Sequence, residues 1–161
     1  MSGASLLLDL DRRGVAAVRG LAHPAALNAA LIGLSRATDH SAAWFAVGLT
    51  GAALDPRRRR RWLAATARMA LTEAAVRAAK RVLPRERPGL APLAPATSPL
   101  SFPSSHTAAA VAAIGAFEGL LPASALRAVA AATAFSRLYL GLHYPSDVIA
   151  GGLIGRLIGA R

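Results

Sequence analysis

The sequence predicts an all-α integral membrane bundle of five to six transmembrane helices, with an amphipathic N-terminal helix at the membrane interface. Hydrophobic residues make up 54% of its 161 residues and charged residues 17%, against about 45–50% and about 25% in an ordinary soluble domain. The charges are clustered, and long stretches such as the one between Asp39 and Asp55 carry none. The length fits a single membrane-embedded domain over residues 1–161.

The composition also excludes several classes of protein. The absence of cysteine excludes a disulfide-stapled secreted scaffold and a metal site built on thiolates. The net charge of +11 would suit a nucleic-acid binder, but aromatic residues are only 5% and supply no stacking platform. No nucleic-acid partner is therefore expected, membrane lipids are, and the oligomeric state is left open.

The first 37 residues are expected to be interfacial or to form an incomplete first span. Leu7, Leu10, Gly14 and Val18 share one face of a helix whose other face is charged, which suits the lipid–water boundary. An ordinary surface helix packed on the bundle is the alternative. The beginning of the chain has no basic leader before its apolar run, so no signal peptide is expected. Residues 24–37 are apolar but short.

Five further stretches are expected to cross the membrane as helices. A helix of 22 residues reaches ~33 Å, which is enough for a bilayer core. The stretch of residues 62–83 carries several charges, and these must face protein or water rather than lipid. The five stretches are residues 41–55, 62–83, 105–121, 124–142 and 145–160.

The orientation follows from five consecutive arginines, Arg57 to Arg61, between the first two of these spans. Basic loops stay in the cytoplasm, although a partner-binding patch is another explanation of the run. The loop 84–104 and the turn 142–146 then lie on the extracytoplasmic side. That side is also basic, against the rule, which suggests that its cations serve a site.

Alternating spans bring polar residues from three separate stretches of the chain together on that outer side. Three of these residues are cations, and they lie near the start of a helix, where free N–H groups and the helix dipole favour an anion such as phosphate. The candidate phosphate-binding residues are Lys80, the only lysine, with Arg87, Ser104, Ser105 and Arg137.

Two imidazoles complete this set. His143 precedes Asp147 by four residues, and a carboxylate that orients one ring nitrogen makes the other more basic. His143 is therefore the candidate nucleophile and His106 the candidate general acid. Each residue alone also fits a helix cap or an interfacial anchor, but their joint occurrence favours a site. His23 and His40 are expected to lie outside it.

Glu73 and Arg77 lie one to two turns below Lys80 and are four residues apart. This spacing fits an ordinary ion pair within a helix. A role in supporting Lys80 is the alternative.

These residues resemble the three motifs of the type 2 phosphatidic acid phosphatase superfamily. The first is a lysine, six residues and Arg-Pro; the second is Pro-Ser-Gly-His; the third is Ser-Arg, five residues, His, three residues and Asp. The chain matches them between residues 80 and 147, with Ser105 in place of the glycine. The matching residues are Lys80, Arg87, Pro88, Pro103, Ser104, His106, Ser136, Arg137, His143 and Asp147.

The resemblance implies a hydrolase that needs no metal or other cofactor and forms a phosphohistidine on His143. Asp147 would orient His143, and His106 would protonate the leaving group and later activate water. The family's architecture has six transmembrane helices. The phosphoryl oxygens would be cradled by Lys80, Arg87, Ser104, Ser105 and Arg137.

The substrate that the resemblance implies is a lipid-linked phosphate. The small, Ala/Arg-rich chain looks most like the decaprenylphosphoryl phosphoribose phosphatases of cell-wall synthesis. It also resembles the undecaprenyl diphosphate phosphatases, and a phosphatidic acid-type substrate is a further alternative. A membrane protein that binds lipid phosphate without hydrolysing it is the non-enzymatic alternative.

Overall fold

The computed structural model describes residues 3–96 and 98–160, and the side chains from residue 5 onward. The secondary structure elements of this part of the chain are helices, joined by turns and loops. Two short 3-10 turns, Asp39–Ser41 and Pro56–Arg58, precede the third and fourth helices. The helices are α1 (Gly3–Arg19), α2 (Ala25–Ala37), α3 (Ala42–Leu54), α4 (Arg59–Val82), α5 (Ser105–Ala116), α6 (Ala123–Tyr139) and α7 (Pro145–Gly159).

Helix α5 is the centre of the bundle. It packs against α4, α6 and α7, and none of its residues is exposed. Its inner faces are mostly alanine, for example Ala108 and Ala112, which are fully buried. Small side chains let neighbouring helices approach closely. The residues at the start of α5 are therefore held in the middle of the molecule.

The closest approach is between α5 and α7, along three glycines spaced four residues apart. Gly151, Gly155 and Gly159 face α5 backbone atoms so closely that an added Cβ would lie 2.2–2.4 Å from a carbonyl oxygen. These backbone atoms cannot move aside for a new methyl group as a flexible side chain can. Close packing of α7 on α5 therefore requires glycine at these three positions.

We expect Gly155→Ala to destabilise the bundle by about 1–3 kcal/mol, as overpacking of a tight contact does. The new methyl group would lie 2.2 Å from the backbone oxygen of Ala108. Gly152→Ala is the matched control, because the nearest atom to its Cβ is 3.9 Å away. Thermal unfolding in detergent measures the stability of both variants. Equal unfolding midpoints would contradict the close contact between α7 and α5.

The helices agree with the sequence expectations to within a few residues, except at the end of α5. This helix was expected to reach residue 121 but ends at Ala116. After Phe117 the chain turns through Gly119, whose φ of 69° lies in the left-handed region that glycine favours. Pro122 therefore comes before the next helix and does not break α5.

The expected number of membrane spans is not confirmed. Within residues 3–96 and 98–160, no helix combines the length and the apolar character needed to cross a membrane.

Helix α1 is amphipathic, and its leucines do not pack against the bundle. Leu7 and Leu10 are 60% and 55% exposed, whereas Asp11 and Val15 are buried. The leucines therefore face away from the bundle, and a carboxylate faces into it. The interfacial position of α1 stays a prediction.

Candidate active site

A cavity of about 250 Å³ opens where the C-terminal end of α4 and the start of α5 meet the loops before α5 and α7. It is lined by five of the eight residues singled out in the sequence: Lys80, Arg87, Ser105, His106 and His143. Arg137 lines a small adjoining recess together with Arg87 and both histidines. The expected convergence of cations and imidazoles is therefore present.

Lys80 and Arg87 are fixed by backbone carbonyls of the two loops that cover the site. Lys80 Nζ donates to the oxygen of Leu100 at 2.9 Å. Arg87 Nε donates to Ser98 at 2.7 Å and Nη1 to Leu142 at 2.5 Å. An ammonium has three donors and a guanidinium five, so both cations keep N–H groups for an anion.

Arg137 is the most deeply buried cation, with 1% of its surface exposed. Its Nε and Nη2 donate to Ser136 Oγ at 3.0 and 2.9 Å, and its Nη1 donates to Ser35 Oγ at 3.1 Å. These neutral hydroxyls orient the guanidinium without neutralising it. A buried guanidinium whose hydrogen-bond partners are neutral favours a bound anion.

His143 is 2% exposed, and its Nε2 lies 3.2 Å from Arg87 Nη1. A guanidinium can only donate, so Nε2 is the acceptor and the ring proton lies on Nδ1. Burial, assisted by the positive charge of Arg87, lowers the pKa of His143 to about 4. The ring is therefore neutral near pH 7, and the electron pair of Nε2 accepts the hydrogen bond from Arg87.

Asp147 lies beside His143 but does not form a hydrogen bond with it. The distance from His143 Nδ1 to Asp147 Oδ2 is 3.6 Å, which is beyond hydrogen-bond range. Asp147 Oδ2 instead accepts from the backbone N–H of Tyr144 at 2.8 Å. Its Oδ1 accepts from Arg85 Nη1 at 3.0 Å. These two hydrogen bonds hold the Asp147 carboxylate in place beside the His143 ring.

A buried network links this carboxylate to helix α1. Asp11 Oδ2 accepts from Arg85 Nη2 at 2.7 Å and from Ser146 Oγ at 2.5 Å. Its Oδ1 accepts from the backbone N–H of Ser146 at 2.9 Å. Arg85 thus bridges two buried carboxylates, and its guanidinium lies 4.0 Å above the centre of the Tyr144 ring.

His106 has its own carboxylate partner, because its Nε2 lies 2.9 Å from Asp39 Oδ1 and 3.2 Å from the oxygen of Ser35. Both partners are acceptors, so Nε2 carries a proton. A carboxylate at this distance orients the imidazole and selects its tautomer. The pair is suited to general acid–base chemistry.

Ser104 and Ser105 differ in position although both begin α5. Ser105 lines the cavity. Ser104 is fully buried and caps the helix, because its Oγ accepts from the backbone N–H of Thr107 at 3.4 Å. Through its side chain, Ser104 shapes the helix start and does not face the cavity.

Comparison with known proteins agrees with this geometry. The PAP2 superfamily matches residues 61–161. The chain belongs to this superfamily. The resemblance noted in the motifs is thereby confirmed, and with it the expectation of a phosphatase.

Two of the protein's PAP2 relatives are named decaprenylphosphoryl-5-phosphoribose phosphatase. The protein from Mycolicibacterium smegmatis is 44% identical over 124 residues, which cover 73% of this chain and 67% of the relative. The protein from Mycobacterium tuberculosis is 40% identical over 135 residues, which cover 80% and 74%.

Two crystal structures show the same PAP2 fold. One is the transmembrane PAP2-type phosphatidylglycerolphosphate phosphatase from Bacillus subtilis, with a TM-score of 0.82, 22% identity and coverage of 98% of this chain and 84% of that one. The other is Aquifex aeolicus LpxE, with a TM-score of 0.72, 24% identity and coverage of 96% and 92%.

Four residues that support the candidate site were not found from the sequence. Asp147 is held by Arg85, which is held in turn by Asp11. His106 has Asp39 as its partner, and Arg137 donates to Ser35. Arg85 lies inside the first motif, between its fixed positions, and was the one detectable signal. His40, expected outside the site, lines the cavity.

Proposed function

We propose that the protein hydrolyses a phosphomonoester on a polyprenyl-linked sugar lipid, through a phosphohistidine on His143. The observation that carries the proposal is the neutral, buried His143, whose Nε2 faces Arg87 in a cavity that also holds Lys80 and His106. Nearby Arg137 adds a third cation. This is an arrangement for attack on a phosphoryl group held by cations.

In the first step, His143 Nε2 attacks phosphorus. A nitrogen–phosphorus bond forms while the bond from phosphorus to the sugar oxygen breaks, and His106 gives that oxygen a proton. Lys80, Arg87 and Arg137 stabilise the charge on the phosphoryl oxygens. In the second step, water attacks phosphorus and gives a proton to His106, which frees phosphate and restores His143.

Asp147 balances the positive charge that the His143 ring acquires when Nε2 is phosphorylated. Its orientation depends on Arg85, which Asp11 holds in turn. Asp11 and Arg85 are therefore positioning residues, and they act on His143 only through Asp147. Helix α1, remote in sequence, contributes to the reaction in this way.

The cations and the helix dipole supply the electrostatic stabilisation that a metal supplies elsewhere. No metal or other cofactor is part of the proposed reaction. Activity in the presence of EDTA tests this part of the mechanism.

We place the protein in the membrane as a multi-pass bundle with the active site on the extracytoplasmic face. Large apolar side chains cover the outer surface of α7, where Ile149, Leu153 and Leu157 are 63%, 58% and 77% exposed and share one face. Exposed apolar stripes of this kind mark a contact with lipid or protein. The leucines of α1 would lie in the interface.

A phosphate-release panel with the purified protein in detergent and EDTA tests the function. It compares polyprenyl phosphoribose phosphate, polyprenyl diphosphate and phosphatidic acid. We expect the highest kcat/KM on the phosphoribose lipid, because the relatives' names describe that substrate. A higher kcat/KM on polyprenyl diphosphate or phosphatidic acid would contradict the proposed substrate. Binding of the lipids without release of phosphate would contradict the proposed phosphatase activity.

A further inference from the structure

A second cavity, of about 380 Å³, adjoins the active site along α4. The two cavities share four lining residues: His40, Glu73, Arg77 and Arg81. A molecule whose phosphate lies between Lys80 and His143 can therefore extend past these four side chains. The mechanism above gives none of them a role.

The shared wall is polar and carries two cations. Glu73 is the fixed element, since its Oε2 accepts from Ser41 Oγ at 3.2 Å and its Oε1 accepts from Arg77 Nε at 3.0 Å. The Arg77 side chain is 59% exposed, and Arg81 is exposed one turn further along α4. The hydrogen bond to Glu73 uses Nε of Arg77, which leaves its terminal nitrogens available as anion donors.

The backbone beside this wall is held in an unusual conformation. His40 and Ser41 both have positive φ, 52° and 60°, which costs free energy in residues other than glycine. Ser41 is 2% exposed and binds Glu73 through its hydroxyl. Strain of this kind persists where the surrounding structure fixes a site.

The far wall of the second cavity is apolar. Phe45 from α3 and Ala70 and Ala74 from α4 line it. Ala70 lies ten residues before Lys80, which is about 15 Å along a helix axis. From Lys80 the lining therefore runs from the catalytic cations, past Arg81 and Arg77, to an apolar groove between two helices.

We infer that this second cavity is a subsite for a second anionic group, the phosphodiester that joins the sugar to the polyprenyl chain. The terminal nitrogens of Arg77 and the Arg81 guanidinium bind the diester oxygens, and Glu73 and His40 face the sugar hydroxyls. The chain leaves past Phe45. The preferred substrates are lipids that carry two phosphoryl groups separated by a sugar. This inference rests on the proposed function.

The test compares kinetics on two substrates, polyprenyl phosphoribose phosphate and phosphatidic acid, the second of which has no second phosphoryl group. Arg81→Gln and Arg77→Gln are expected to raise KM for the phosphoribose lipid on the order of tenfold, as loss of a charged hydrogen bond does. Since this binding is the same in the ground and transition states, kcat stays near its wild-type value. KM for phosphatidic acid does not change.

Arg60→Gln, at the other end of α4 and exposed, is the matched control and leaves both substrates unaffected. Arg77→Lys restores part of the affinity. Because Arg81 has no role in the Glu73 pair described above, its variant tests the subsite even if Arg77→Gln fails to fold. Equal changes in KM on both substrates, or none, would overturn the subsite and leave the phosphatase intact. A wild-type protein that releases no phosphate from either lipid would overturn both proposals.

Discussion

Replacing His143 with alanine is expected to lower phosphate release by a factor on the order of 10³ or more, as loss of a catalytic nucleophile does. The imidazole supplies the attacking nitrogen, and no other histidine is expected to take its place. The nearest candidate, His106, is held by Asp39 and the backbone of Ser35. The measurement is initial-rate phosphate release in detergent, at saturating and at limiting lipid.

His23→Ala is the matched control for this variant. Its ring is partly buried and contacts Tyr139 at 4.6 Å between ring centres, but it does not line either catalytic recess. We expect near wild-type kcat from it. If His143→Ala kept more than a tenth of the activity while folded, His143 would not be the nucleophile.

The second large effect is expected from Asp11→Asn, which lies in α1 and touches no substrate. We expect kcat to fall on the order of 10- to 100-fold, as for other residues that hold a functional side chain in place through hydrogen bonds, while KM stays the same. The reason is that Arg85 loses one of its two carboxylates and no longer holds Asp147 in place. Steady-state kinetics on the phosphoribose lipid measures the separation of kcat from KM.

The same helix supplies the control. Asp9→Asn makes the same chemical change in an exposed ion pair with Arg13 and is expected to change neither parameter, since exposed pairs contribute little. Combining Asp11→Asn with Arg85→Gln should cost no more in kcat than the larger single effect, because both act through Asp147. Additive losses, or equal losses from Asp9→Asn, would show a general effect on folding instead.

The convergence of Lys80, His106 and His143 on one cavity could be predicted from the sequence because they lie in three short motifs. Lys80 ends one helix, His106 begins another and His143 precedes a third, so alternating helices place them on one side without detailed knowledge of packing. Helix boundaries followed from the uncharged stretches. The end of α5 was missed, because the turn through Gly119 was not recognised as the end of the helix.

The supporting residues were harder to predict, because each acts across a long separation in the chain. Asp11 meets Ser146 only after α1 has packed beside α7, and an acidic residue in an amphipathic helix is ordinarily exposed. Asp39 likewise meets His106 across 67 residues of sequence. The glycines of α7 did carry a signal, since residues 151, 155 and 159 lie on one helix face.

The central claim is that the phosphoryl group passes through His143. Rapid quenching of the protein during turnover of a lipid labelled in its terminal phosphate, followed by peptide mapping under alkaline conditions, tests it most directly. The account predicts label on the peptide that contains His143, in the wild-type protein and in His106→Ala protein that still turns the lipid over. Turnover of the labelled lipid without any label on His143, in either protein, would contradict it.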